Sequence, residues 1–136
     1  MKHRLPNSLR RDVADRACFR CEYCLVQEED LFLPFEVDHI ISRKHGGGNE
    51  FGNLAFACPH CNQYKGSDLT TFLDAYDDIV SLFNPRKDIW SEHFSVSEGE
   101  IIPLTRIGAA TVKLLQFNGP ERLLHRQILM RSGHYP

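Results

Sequence analysis

The chain has 136 residues, of which 42% are hydrophobic and 25% charged, and its formal net charge is −2. This is the balance of an ordinary globular chain and excludes disordered, collagen-like and strongly basic classes. No apolar run approaches the ~20 residues that cross a bilayer. The charged opening "MKHRLPNSLRR" is not followed by the apolar stretch of an export signal, so the expected setting is the cytoplasm, with no membrane partner.

In chain order, Asn7 or Ser8 can cap a first helix in which Leu9, Val13 and Ala17 share one face. Cys18 stands at the end of that helix, and "CEYC" (Cys21 to Cys24) falls in the turn beyond it. "LVQEEDLFLPF" reads as a connecting loop. "EVDHII" reads as a strand, "SRKHGGGNEFG" as a Gly-rich loop and "NLAFAC" as a second short strand. "PHCNQYKGS" has the spacing of a helix start, with Gly66 as an early stop. Further on, "DDIVSLFNPR" is extended up to Pro85 and "KDIWSEHF" is a short helix. "FSVSEGEIIPL" forms a hairpin about Glu98-Gly99. Thr105 can cap a helix with Ile107, Ala110, Leu114 and Leu115 inward. "NGPE" opens a last helix near residues 120 to 132 that buries Leu123, Leu124 and Ile128.

Five cysteines occur, and four of them form two Cys-x-x-Cys knuckles, Cys21/Cys24 and Cys58/Cys61, separated by 33 residues. Four thiolates in that arrangement close a tetrahedral zinc site. Disulfides fit poorly with a reducing compartment, and a redox dithiol leaves one pair idle. "CFRC" also has the Cys-x-x-Cys form, but the helical pattern assigns Cys18 to a small buried position. His60, between Cys58 and Cys61, is read as surface or as a neighbour of the zinc ligands.

The stretch "EVDHIISRKHGG" sets a carboxylate and an imidazole side by side in an apolar strand. Asn53 follows His39 by fourteen residues and Asn62 follows Asn53 by nine. Alone, His39 reads as a hydrogen-bonded core histidine, Asn53 as a turn residue and Asn62 as a helix cap. Together, "VDHI", "GGGNEFGNL" and "CPHCNQYKG" resemble the HNH endonuclease family, in the subset that frames its ββα-metal motif with two Cys-x-x-Cys knuckles. The motif covers residues 21 to 66, and the tail is similar to an extension seen in a group of bacterial HNH proteins.

The resemblance implies an α+β fold: a ββα-metal finger braced by a four-cysteine zinc site, with flanking helices, a small C-terminal hairpin and further helices. The expected domain spans 1–136, with a core motif at 18–68 and an extension at 69–136. It also implies a metal-dependent endonuclease that hydrolyses phosphodiester bonds in DNA, leaving 5′-phosphate and 3′-hydroxyl ends. In that reading His39 activates water, and Asp38 and Asn62 hold Mg²⁺ or Mn²⁺. Asn53 braces the Gly-rich loop, while Lys65, Arg43 and Lys44 meet phosphate. The residue chemistry agrees: an imidazole with pKa near ~6.5 is a base suited to neutral pH, and carboxylate and amide oxygens suit hard cations. One geometric condition follows. A regular strand sends adjacent side chains to opposite faces, so the pleat must break between Asp38 and His39 if both serve one metal.

Other histidines, His45 and His93, are expected to be surface or packed residues, and Trp90 and the phenylalanines core. Charge is uneven: residues 1–20 carry six Lys/Arg against two acids, residues 101–136 five against one, and residues 67–100 two against eight. Basic ends that meet in space form a phosphate-binding face, although solvated helix faces account for the same counts. The competing function is a non-catalytic zinc-binding module that binds nucleic acid or a protein partner.

Overall fold

The computed structural model describes residues 5–136. Lys2 and Arg4 of the basic N-terminal stretch lie outside the described residues. The elements are α1 (Asn7–Arg16), β1 (Glu36–His39), β2 (Leu54–Ala57), α2 (Pro59–Lys65), β3 (Thr70–Phe72), β4 (Ile79–Ser81), α3 (Trp90–His93), β5 (Phe94–Ser97), β6 (Glu100–Pro103), α4 (Arg106–Leu114) and α5 (Pro120–Arg131). The fold is α+β, and its strands form three separate antiparallel hairpins, β1–β2, β3–β4 and β5–β6. No helix among the described residues is long and apolar enough to cross a membrane.

The β1–β2 hairpin is the centre of the first half. Its register pairs Glu36 with Ala57 and His39 with Leu54. Every residue of β2 is buried, because α1 covers it and the first knuckle zips onto it. Glu22 supplies that zip: its backbone N–H donates to the Phe56 carbonyl at 2.9 Å, and its carboxylate accepts from the Phe56 N–H at 2.7 Å. Helix α2 starts at the Ala57 end of the hairpin and runs along it, so that Lys65 donates to the carbonyls of His39 and Ile40 at 3.2 Å each.

The second half wraps the knuckles. The indole N–H of Trp90 donates to the Tyr23 carbonyl at 2.8 Å, and the Tyr135 hydroxyl donates to the Cys24 carbonyl at 2.8 Å. An aromatic column of Phe83, Phe94 and Phe117 fills the space between, with Trp90 tilted against Phe94 at 4.9 Å between ring centroids. Thr105 caps α4 by accepting from the Gly108 N–H at 3.0 Å. The β5–β6 hairpin turns at Glu98 and Gly99, both at positive φ.

Several local expectations are corrected. Helix α1 begins directly after Pro6 and carries no side-chain cap, so neither Asn7 nor Ser8 closes it. Cys18 and Phe19 both adopt positive φ (54° and 57°), which swings Cys18 out to an exposed position instead of burying it. The β3–β4 hairpin lies where only one extended stretch was expected. Helix α5 is turned about its axis: Arg126 and Leu129 are buried, whereas Leu124 and Ile128 are exposed. The cause is polar. Arg126 donates to the Gly99 carbonyl at 2.7 Å and to Asn118 Oδ1 at 2.8 Å, and an apolar periodicity carries no trace of such bonds.

Candidate metal centre and active site

Four sulfurs converge where the two knuckles meet. Cys21, Cys24, Cys58 and Cys61 are all buried, and their ligand atoms lie within 4.8 Å of one another. None forms a disulfide. The Cys24 and Cys58 sulfurs are 3.7 Å apart, close to the ~3.8 Å edge of a tetrahedron with Zn–S bonds of about 2.3 Å. Backbone N–H groups of Tyr23 and Cys24 point at Cys21 Sγ, and that of Cys61 at Cys58 Sγ, each at 3.4 Å. Arg122 of α5 adds a cation, donating to Cys61 Sγ at 3.1 Å and to Cys58 Sγ at 3.9 Å. Burial alone pushes that guanidinium's pKa down, but the charges of Cys61, Cys24 and Cys58 outweigh it and hold the pKa above its ordinary value. The donor set fits a closed structural site for a thiophilic cation such as zinc.

The thiols themselves register the crowding. Burial and hydrogen bonding from the neighbouring thiols push Cys21 well up, and burial does the same for Cys61. Hydrogen bonds from the other three pull Cys24 well down. His60 is exposed beside them, and partial burial together with the Arg122 charge lowers its pKa.

Asp38 and His39 part company. The strand stays regular through His39, which pairs with Leu54, and the bend falls one residue later, at Ile40. Asp38 therefore faces inward and is only 5% exposed. Its Oδ2 accepts from the Tyr23 hydroxyl at 2.7 Å and lies 3.2 Å from Lys65 Nζ; its Oδ1 is 3.4 Å from the same ammonium. Burial raises the Asp38 pKa against the opposing pull of Lys65 and Tyr23, and the Tyr23 hydroxyl is pushed well up by burial and by the Asp38 charge. The structure thus brings Asp38 together with Lys65 and Tyr23 rather than with His39, and the expected break in the pleat between Asp38 and His39 is absent.

Lys65 is likewise corrected. Its side chain is buried, spanning Asp38 and two carbonyls, and so is turned away from any phosphate contact. Asn62 stands half-buried one turn earlier on the same side of α2. As for a hard cation, Asp38 already faces one in Lys65 Nζ, so a divalent ion there must share or replace that ammonium. By type, a carboxylate and an amide oxygen are donors that suit a hard cation.

His39 faces the Gly-rich loop, half-exposed. Its Nε2 lies 2.8 Å from Asn49 Oδ1. Asn53 ties the loop to the strand exit: its amide N–H groups donate to the carbonyls of Ile41 and Gly48, and its oxygen accepts from the Ile41 N–H, all at 2.9 Å. A side chain at Gly47 would place its Cβ 1.7 Å from the Ile41 carbonyl oxygen, so only glycine allows this close approach. Arg43 and Lys44 lie exposed on a single 3₁₀ turn between β1 and the glycines. His93 is held by Thr105 Oγ1 at 2.6 Å and packs against Phe83.

Three residues of this site escaped the sequence reading. Tyr23 and Arg122 carried no spacing signal, because their partners Asp38 and Cys61 are brought to them only by the fold. Asn49 sits beside the glycine run and ten residues from His39, a position that reads as turn chemistry.

The family model of the HNH endonucleases matches residues 21–68, the stretch from the first knuckle through α2. No curated protein and no solved structure matches the chain.

Proposed function

From the HNH endonuclease match over residues 21–68, we propose that the chain is a metal-dependent endonuclease that cuts phosphodiester bonds in DNA, with His39 as general base. The observation that carries this reading is the presentation of His39. It is half-exposed at the open end of the hairpin, and one ring nitrogen is held by Asn49, which leaves the other for a water molecule. A general base needs this combination of access and fixed orientation.

Each residue then has a task. His39 takes the proton from the attacking water. Asn53 keeps the loop beside it. Arg43 and Lys44, exposed next to the loop, meet backbone phosphates flanking the cut. Asp38 and Asn62 are the residues that would hold a Mg²⁺ or Mn²⁺ ion, and such an ion supplies charge stabilisation at the phosphate and the leaving oxygen. The four-cysteine site is structural and binds zinc. It fixes the start of α2 and so the end of the hairpin opposite His39.

A second reading is favoured by one observation. The closed Tyr23–Asp38–Lys65 cluster satisfies Asp38 without a metal, as suits a zinc-braced module that only binds nucleic acid or a protein. Cleavage of supercoiled plasmid separates the two, with Mg²⁺ or Mn²⁺ added and with wild type compared to His39→Ala at equal zinc content. Nicking that requires the added metal and is lost in the variant supports the nuclease. A zinc-loaded wild type that cuts no duplex, branched, nicked or single-stranded substrate supports the binding module.

A further inference from the structure

We propose that Asn49 is the positioning residue of the site: its side-chain oxygen holds the His39 imidazole in the tautomer with hydrogen on Nε2, so that Nδ1 is the atom that accepts the proton. This rests on the reading of His39 as general base.

The geometry supplies three linked observations. First, Asn49 Oδ1 lies 2.8 Å from His39 Nε2. An amide oxygen only accepts, so Nε2 must donate, and in a neutral imidazole the other nitrogen then carries the lone pair. Second, Asn49 does not hang on a free loop. The residue before it, Gly48, gives its carbonyl to Asn53 Nδ2, and the same amide group binds both backbone groups of Ile41, two residues past His39. Third, the neighbouring turn is seated on the strand exit through Gly47, where a Cβ would fall 1.7 Å from the Ile41 carbonyl oxygen. Both the imidazole and its partner are therefore referred to one rigid point, the backbone at Ile41.

The chemical consequence is a defined proton path. As the water oxygen bonds to phosphorus, its proton passes to Nδ1 and the bond from phosphorus to the 3′-oxygen breaks, the leaving 3′-oxygen taking a proton from solvent. Nε2 keeps the hydrogen it shares with Asn49. The imidazolium so formed still donates to Asn49 through Nε2, so no group has to rotate as charge develops. With the other tautomer, Nδ1 would carry a hydrogen and could not take one. Asn53 acts one step further back, by presenting Asn49.

The test uses zinc-loaded, full-length protein labelled with ¹⁵N-histidine. Long-range ¹H–¹⁵N spectra are taken at about pH 8.5, roughly two units above the ordinary imidazole pKa, with His39 assigned by its absence in His39→Ala. Wild type and Asn49→Asp, which keeps an acceptor, should show the Nε2–H form, and Asn49→Ala should show a mixture. In plasmid nicking, Asn49→Ala should lose roughly 10- to 100-fold in kcat with KM changed by less than about twofold, and Asn49→Asp should recover most of that loss. A wild-type Nδ1–H form, or an Asn49→Ala protein with unaltered tautomer and kcat, overturns the proposal. If wild type cuts nothing, the nuclease reading fails, and the spectra still decide whether Asn49 fixes the ring.

Discussion

The two ends of the β1–β2 hairpin are built on opposite principles. At the Ala57 end the backbone runs into four buried sulfurs with cross-links on several sides: Glu22 zips the knuckle to β2, Trp90 and Tyr135 cap the carbonyls of Tyr23 and Cys24, and Arg122 donates to two sulfurs. At the Leu54 end the hairpin opens into a loop held by polar contacts, those of Asn53, of Asn49 with His39 and of Arg16 with the Phe51 carbonyl, with His39 half in solvent. One end invests in burial and cross-links, the other in access. Fixing one end of a four-residue strand fixes the direction in which the other end points, so a staple placed away from the reacting centre still aims it.

If that contrast is right, the largest effect is removal of the zinc end. Chelation should abolish cooperative thermal unfolding followed by far-ultraviolet circular dichroism, since structural zinc contributes on the order of 10 kcal/mol or more in small domains. An unchanged Tm after complete metal removal would break the comparison at its base. At the open end, His39→Ala should lower the cleavage rate by about 10²- to 10⁴-fold while leaving Tm and zinc content as they are. A fall in Tm would mean that His39 is a packing residue.

Between the two ends lies the Asp38–Lys65 pair, with both side chains almost fully buried. Lys65→Met should cost about 3–5 kcal/mol in urea unfolding, because it strands a buried carboxylate. A cost under about 1 kcal/mol would show that Asp38 is already neutral or solvated. Smallest is Tyr135→Phe, which deletes one hydrogen bond to the Cys24 carbonyl. A loss of about 1 kcal/mol is expected, and a loss several times larger would make the C-terminus a main support of the zinc end.

Most of the four-cysteine centre was legible, since Cys21, Cys24, Cys58 and Cys61 are metal-binding residues by type and come together by spacing. The ββα order was legible for the same reason: glycines, alternating apolar residues and a Pro at the start of α2 are local signals. What stayed hidden depends on long-range polar pairing. Lys65 reads from sequence as a free cation after a helix turn, yet it is the internal partner of a carboxylate 27 positions away. Arg126 carries no sequence signal for burial, yet it is fully buried because Gly99 and Asn118 offer it acceptors. Cys18 reads as a helix-end hydrophobe, and only its positive φ turns it outward. Side-chain direction at β1 was decided by strand regularity, which no motif encodes.

The bond from Trp90 to the carbonyl of Tyr23 has a practical side. Trp90 is the chain's one tryptophan, and it spans the seam between the tail and a residue lying between Cys21 and Cys24. Its ultraviolet emission is thus an intrinsic optical gauge of that seam. When the tail lifts from the first knuckle, the indole loses an acceptor and its contact with Phe94, and the emission shifts to longer wavelength as water reaches the ring. The parting of tail and knuckle can be followed in real time, without a dye, in unmodified protein.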